Sequence, residues 1–176
     1  MTGRRAFGRL YDIGSVVAPI ADLAAGANTG HRINMKNYAS VTFVCFFGAA
    51  SGGTDTFVPD VQQATAASGG TSGDLDVVTE WYVKFEATLD GDETWTRVTQ
   101  SAASEVSLTG ATYGGSIQLI AVFEVSADQL SDGYGWISVD MADAGSGGTR
   151  PGSILAIMNE PAYQRRPDAL PQPNSA

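Results

Sequence analysis

The sequence predicts an all-β protein: a single antiparallel β-sandwich domain of jelly-roll type with extended segments at both ends. Glycine supplies 21 of the 176 residues and charged residues only 16%, which is typical of short strands joined by tight turns. Eight to ten short runs rich in apolar residues, spaced about ten residues apart, are separated by Gly, Asp and Ser turns. No helical segments alternate with these runs, which argues against a parallel βαβ sheet.

The chain divides by composition into a body and two ends. Residues 31–160 carry the strand pattern and are predicted to form the sandwich domain. Residues 1–30 have only a weak apolar pattern, interrupted by Pro19, and are interpreted as an N-terminal arm. Residues 161–176 contain four prolines and are interpreted as an extended C-terminal tail.

Residues 33–47 are the most apolar stretch and are expected to lie at the centre of the fold. In an extended segment, side chains alternate between two faces. One face would carry Val41, Phe43, Cys45 and Phe47, and the other Thr42, Val44 and Phe46. Because both faces are mostly apolar, we expect this strand to be covered on both sides, within a sandwich or at a subunit contact.

Further elements follow along the chain. Pro59 cannot donate to a ladder, so residues 55–67 are predicted to include an edge strand or a bulge. Residues 79–86 and 95–98 flank an Asp-Gly turn and predict a hairpin. Residues 117–125 form a second strand that is apolar on both faces, and Ser126 is an N-cap for about one helical turn. The last strands are expected over residues 134–141 and 152–158.

Charge is unevenly distributed along the chain, whose net charge is −9. Residues 40–149 contain fifteen acidic side chains against Lys84 and Arg97 alone. An acidic body argues against direct binding of nucleic acid. Six other arginines lie towards the ends: Arg4, Arg5, Arg9, Arg150, Arg165 and Arg166. They are either solvated or able to dock on an acidic neighbour, including the body of another copy of this protein.

The sequence contains no motif that predicts catalysis, a cofactor or a metal ion. Cys45 is the only cysteine and lies in an apolar strand, where it is expected to be a small buried hydrophobe. His31 is the only histidine and has no nucleophile motif to serve. The carboxylates near Asp90 and Glu93 do not match a calcium loop and are interpreted as a hydrated hairpin tip. We therefore expect a protein that is not an enzyme.

Two further features bear on the class of protein. Trp81, Trp95 and Trp136 favour core packing, with a sugar-stacking platform as the alternative. The basic N-terminus is not followed by a continuous apolar segment, and no apolar run approaches the roughly 20 residues that cross a bilayer. We therefore expect neither a signal peptide nor a membrane span, and a soluble product made and used inside a cell.

Several segments, taken in order, resemble structural proteins of tailed bacteriophages. Residues 33–44, INMKNYASVTFV, are similar to a Met/Leu-Lys-Asn-Tyr step followed by an apolar strand in that family. Residues 61–65 (VQQAT), 123–134 (FEVSADQLSDGY) and 158–163 (MNEPAY) resemble later segments of it. The sequence departs from the family at Asn159 and Ala162, where Ser and Arg are usual, and in an acidic segment around residues 90–93.

This resemblance implies a head decoration or cement protein that binds and stabilises the lattice of the major capsid protein. Its location would be the outer surface of the capsid, after assembly in the host cytoplasm, and its copies would self-associate, most simply as homotrimers. The residues expected to bind partners are Arg4, Arg5, Arg9, Tyr163, Arg165 and Arg166. The alternatives are a tail or head-to-tail connector protein and a glycan-binding β-sandwich module.

Overall fold

The computed structural model describes residues 6–52, 55–144 and 148–163, in which ten strands form two sheets. A four-residue helix, α1 (Gly110–Tyr113), precedes β8, and single 3₁₀ turns span Met35–Asn37 and Ala127–Gln129. The strands are β1 (Tyr11–Ile20), β2 (Ile33–Asn34), β3 (Tyr38–Phe47), β4 (Pro59–Ala64), β5 (Ser72–Asp74), β6 (Val78–Glu86), β7 (Thr96–Ala103), β8 (Gln118–Ser126), β9 (Trp136–Met141) and β10 (Gly152–Pro161).

The two sheets pack face to face as an antiparallel sandwich, which confirms the predicted fold class. The larger sheet has the strand order β1-β10-β3-β8-β6-β7, and the smaller has the order β2-β9-β4-β5. When β6 and β7 are set aside, the chain crosses repeatedly between two four-stranded sheets, as in a jelly roll. The β6–β7 hairpin extends the large sheet beyond β8.

The predicted central strand does lie at the centre of the large sheet. β3 pairs with β10 on one side and β8 on the other over nearly its whole length. Its inward residues contact the smaller sheet and are fully buried; they are Val41, Phe43, Cys45 and Phe47. The rings of Phe43 and Phe123 lie 5.3 Å apart within this core. Each such side chain stabilises the fold by about 1.5–3 kcal/mol through burial.

The interpretation of residues 1–30 as an arm is wrong for most of that segment. β1 pairs with β10 from Tyr11 to Ile20 and forms an edge of the large sheet. Val16 and Leu23 are completely buried in the core. The sequence pattern is weak because the pairing of β1 with β10 shifts register twice, after Ser15 and after Val17, which breaks the alternation of apolar residues.

The later elements follow the sequence with one correction. The hairpin forms as β6 and β7, and Ser126 is the N-cap of one 3₁₀ turn, as predicted. The structure adds a capping box, in which the Ser126 amide donates to the Gln129 side chain. Pro59 does not mark an edge strand or a bulge. It is the first residue of β4, which lies between β9 and β5, and a strand tolerates proline at that position.

Arg150 is buried in the sandwich, so it does not belong to a basic end of the chain. Its side chain donates hydrogen bonds to the carbonyl oxygens of Tyr113 (2.7 Å) and Ile117 (2.9 Å). The guanidinium also lies over the rings of Phe47 and Phe57, at 5.8 and 5.1 Å from their centroids. Arg150 thus ties the segment around α1 to the start of β10.

Candidate functional site

The outer face of the large sheet exposes large apolar side chains to solvent. Strands β1, β10, β3 and β8 each turn apolar side chains away from the core. Phe46 is 51% exposed, Ile13 48% and Leu155 36%. The half-buried members of the same face are Val44, Ile120, Val122 and Ile157. We call these seven residues the apolar face.

Strand register makes the apolar face continuous. Val44 lies opposite Leu155 on one side and Val122 on the other, so three apolar side chains cross the sheet in one row. Phe46 lies opposite Ile120 in the next outward row. Four strands spaced about 4.8 Å apart, over about eight residues of length, give a surface of roughly 500 Å². The apolar side chains occupy part of this area, and the largest apolar patch of a typical monomer, about 300–600 Å², is often functional.

The apolar face is also nearly free of charge, although the chain carries a net charge of −9. The polar residues that share its outward positions on β1, β10, β3 and β8 are Tyr11, Ser15, Ser40, Thr42, Gln118, Ser126, Ser153 and Asn159. Among the outward positions of these four strands Glu124 is charged, and Lys84 of the adjoining strand β6 lies opposite Ile120 at the margin of the face. A partner that covers this face therefore desolvates few ions, a cost that otherwise opposes association.

The expectation that β3 is covered on both sides is wrong for the isolated chain. The fold covers Phe43 and Phe47 but leaves the outward Phe46 half exposed. Apolar residues on both faces of a strand indicate two contacts. The second contact is absent within the described residues, so the alternative of a contact between subunits remains a prediction.

A groove adjoins the apolar face where β3, β8 and β6 meet. It has a volume of about 240 Å³, and its lining includes Thr42, Tyr82 and Val122. Two carboxylates, those of Glu80 and Glu124, also line it. Glu124 accepts a hydrogen bond of 2.7 Å from the Ser40 hydroxyl. The groove therefore combines an apolar floor with an acidic rim.

Two of the six residues predicted to bind partners can be placed in the fold. Arg9 is exposed in the turn before β1, and Tyr163 is 65% exposed just after β10. Tyr11 pairs with Asn159, so Arg9 and Tyr163 lie at the same end of the large sheet. The other four, Arg4, Arg5, Arg165 and Arg166, lie outside the described residues, as does most of the predicted C-terminal tail.

The three tryptophans do not share a surface. Trp81 is 3% exposed and packs edge-on against Tyr113 in the core. Trp95 is 48% exposed beside the β6–β7 hairpin, where the Lys84 ammonium lies 5.1 Å from its ring centroid. Trp136 belongs to the other sheet. The core-packing interpretation holds for Trp81, and the sugar platform built from all three is wrong.

The acidic hairpin tip is the one group of described residues with a spacing suited to a metal ion. Carboxylate oxygens of Glu86, Asp90, Asp92 and Glu93 lie within 4.8 Å of one another on the surface. A hydrogen bond from Asp92 to Asp90 and the charge of Asp90 raise the pKa of the Asp92 carboxyl. The backbone amides of Asp90 and Gly91 donate to Glu93, which orders the loop with protein groups alone.

Cys45 and His31, the only cysteine and the only histidine of the sequence, lie in different parts of the fold. Cys45 is completely buried among apolar side chains, and this burial raises the pKa of its thiol. His31 is exposed in the loop before β2, where its backbone amide donates to the Val16 carbonyl. A buried, protonated thiol is a poor nucleophile. The apolar face and the groove are therefore the features that best explain a function.

Comparisons with family models, with curated proteins and with solved structures find no match for this chain. In the described part of the chain, no helix has the length and apolar character needed to span a membrane.

Proposed function

We propose that this protein is a bacteriophage virion structural protein, a head decoration protein that binds and stabilises the lattice of the major capsid protein. The observation that carries the proposal is the apolar face, because it is exposed, continuous and almost uncharged. The sequence resemblance to tailed-phage structural proteins supports it. The segments that carry this resemblance overlap parts of β3, β4, β8 and β10, and among the seven residues of the apolar face they contain Val44 alone.

The mechanism that we propose is adhesion. A sandwich with an extensive core presents its outer face with little conformational freedom to lose, which lowers the entropic cost of docking. Each copy contributes a modest contact. When several copies self-associate as homotrimers, they bind a repeating lattice together, and avidity makes the trimer's affinity higher than that of one copy. The same face on each copy would rest on the capsid, with Arg9 and Tyr163 at one end of the sheet reaching neighbouring subunits.

The proposal makes a quantitative statement about Phe46. A phenylalanine side chain offers roughly 200 Å², of which 51% is still exposed here. Covering this remainder is worth about 2.5 kcal/mol at 25 cal/mol per Å². Replacing Phe46→Ser should therefore weaken binding to the capsid about 70-fold at a single site.

The assay is co-sedimentation of purified chain with phage heads assembled without it. Trp136→Ser is the matched control, since it removes an aromatic side chain from the outward face of the opposite sheet. Wild type and the control should bind alike, and Phe46→Ser should remain in the supernatant. Equal binding by all three chains would refute the role of the apolar face.

Electron cryo-microscopy of the complete virion tests the location. Density for the sandwich on the outer capsid surface, in a fixed ratio to the major capsid protein, is the expected result. Density confined to the tail or to the head-to-tail junction would establish the alternative, a connector or tail protein. Absence of the protein from purified particles would overturn both.

A further inference from the structure

We propose that two copies of this protein pair through the outer faces of their large sheets, as a symmetric dimer in which each copy covers the apolar face and the groove of the other. The occupant of both features is a second copy of this chain, whether or not the protein belongs to a virion. One consequence rests on the proposed function. The face cannot cover a second copy and the capsid at once, so the dimer separates on the lattice, and the copies of a lattice-bound trimer meet through other surfaces.

Charge is the first argument for a second copy. The chain carries a net charge of −9, so contact between most parts of two copies brings carboxylates together. The outer face of the large sheet is the exception. Among the outward positions of β1, β10, β3 and β8, the charged residue is Glu124, near the margin that adjoins β6. Two acidic copies therefore repel each other least where these faces meet.

Strand register makes the face complementary to itself. One row across the sheet consists of Leu155, Val44, Val122 and Tyr82. Sheets that pack face to face keep their strands within about 30° of each other. A two-fold axis along this row therefore exchanges positions two residues to either side of it, each about 6.7 Å away. Phe46 and Thr42 are such positions on β3, so Phe46 of one copy lies over Thr42 of the other.

This arrangement sets a projecting side chain against a recess. Phe46 is the most exposed member of the apolar face, at 51%. Thr42 is smaller, and it lines the groove of about 240 Å³ together with Val122 and Tyr82. The Phe46 ring of each copy therefore lies at the groove of the other, and the symmetry of the dimer makes this contact twice.

The same axis brings opposite charges together at the margin of the face. On β6, Lys84 and Glu80 lie two residues to either side of Tyr82, so Lys84 of one copy lies over Glu80 of the other. Glu124 holds the position equivalent to Glu80 on the neighbouring strand β8. Among the described residues, Lys84 contacts the Trp95 ring and has no carboxylate within ion-pair distance. Lys84 of a second copy therefore offsets the cost of covering Glu124.

The area fits a weak, specific dimer. Five strands spaced about 4.8 Å apart, over about eight residues of length, give roughly 600 Å² per copy and roughly 1,200 Å² in total. Specific interfaces bury about 1,200–2,000 Å² in total, so this dimer lies at their lower end. We expect a dissociation constant in the micromolar range, at which a partner such as the capsid competes for the face.

Sedimentation equilibrium of the full-length chain, from low to several hundred micromolar, measures the dimer directly. Phe46→Ser should weaken dimerisation on the order of 1,000-fold, because each of the two copies loses a ring worth about 70-fold. Trp136→Ser, in the other sheet, is the control and should dimerise like wild type. A wild-type monomer or trimer over this range, or a Phe46→Ser chain that dimerises like wild type, would overturn the proposal.

Charge reversal tests the position of the axis. Lys84→Glu and Glu124→Lys should each weaken dimerisation on the order of tenfold, because each symmetric dimer then contains two pairs of like charge. An equimolar mixture of the two variants should recover most of the wild-type affinity, because both Lys84–Glu124 contacts of the mixed dimer join opposite charges. Recovery in the mixture can come only from contact between copies.

Glu105→Lys is the matched control for the mixture, since it makes the same charge change at an exposed site after β7. Mixed with Lys84→Glu, it should recover little affinity. Equal recovery with Glu105→Lys and Glu124→Lys, or recovery with neither, would refute the two-fold contact.

The dimer and the proposed function fail separately. A chain that stays monomeric and binds phage heads would overturn the dimer and leave capsid decoration standing. A chain that dimerises through Phe46 and does not bind heads would support the dimer and count against decoration.

Discussion

Replacement of Arg150 should show how much a buried, unpaired arginine contributes to the fold. The residue is 1% exposed, and no described carboxylate lies within ion-pair distance of its guanidinium. Burial lowers the pKa of Arg150 from its ordinary value to about 10. This shift corresponds to a penalty of roughly 3 kcal/mol for keeping the side chain charged near neutral pH.

Two opposing effects set the size of the change. Arg150→Ala relieves that penalty but leaves the carbonyls of Tyr113 and Ile117 without their donors, at about 1–3 kcal/mol each. It also removes two buried methylenes, Cγ and Cδ, worth about 0.8 kcal/mol each. We expect a net loss of about 3 kcal/mol. Arg150→Met keeps most of the apolar volume, and its expected loss is about 1 kcal/mol.

The pH dependence has a defined sign. Because the pKa of Arg150 is lower in the folded state, the unfolded chain binds more protons as the pH rises above about 10. The penalty on the charged form therefore fades as the pH rises through about 10. Wild type should gain stability relative to Arg150→Met in that range, with a slope of at most about 1.4 kcal/mol per pH unit.

Urea unfolding followed by tryptophan fluorescence measures these differences at pH 7.5 and at pH 10. The comparison requires the slope of the free energy of unfolding against urea concentration to be the same in all variants. Arg150→Ala within about 0.5 kcal/mol of wild type would refute the reasoning. A gap between wild type and Arg150→Met that narrows at high pH would refute the role assigned to the charge.

Three further predictions concern the core and the N-terminal strand. The Tyr38 hydroxyl donates a hydrogen bond of 2.7 Å to the buried carboxylate of Asp12. Burial is the main reason that the pKa of Tyr38 lies well above its ordinary value of 10, and the hydrogen bond to Asp12 and the charge of Asp12 raise it further. The stability that the protonated Tyr38 hydroxyl contributes is complete below pH 10 and is lost as the pH rises further. In urea unfolding, wild type should be more stable than Tyr38→Phe by about 1–3 kcal/mol at pH 8, and this difference should be smaller at pH 11. An equal difference at both pH values would contradict the prediction. Cys45 should fail to react with a thiol reagent in the folded protein and react fully in urea; fast reaction in buffer alone would show that the strand opens. Deletion of residues 1–20 should abolish cooperative unfolding, because β1 and the buried Val16 are lost; a folded product by circular dichroism would contradict the assignment of β1 to the sheet.

The sequence determined the class of fold through local chemistry. Apolar runs over β3 and β8, alternation in β6 and the turn residues between them predict an antiparallel sandwich, because strand periodicity and turn geometry depend on neighbours in sequence. The role of Ser126 as an N-cap before about one helical turn was predicted for the same reason. The uneven charge and the apolar character of both faces of β3 pointed to an adhesive body.

Tertiary structure decided what the sequence could not. Register shifts in β1 hide its alternation, so the sequence suggested an arm where the fold has an edge strand. The sequence suggested that Arg150 is a surface charge. In the fold, its long side chain donates to two carbonyls that are more than 30 residues away in sequence. The apolar face joins Ile13, Phe46 and Leu155 from strands far apart in the chain. Only the pairing of strands sets which outward side chains become neighbours, and so where this protein can adhere.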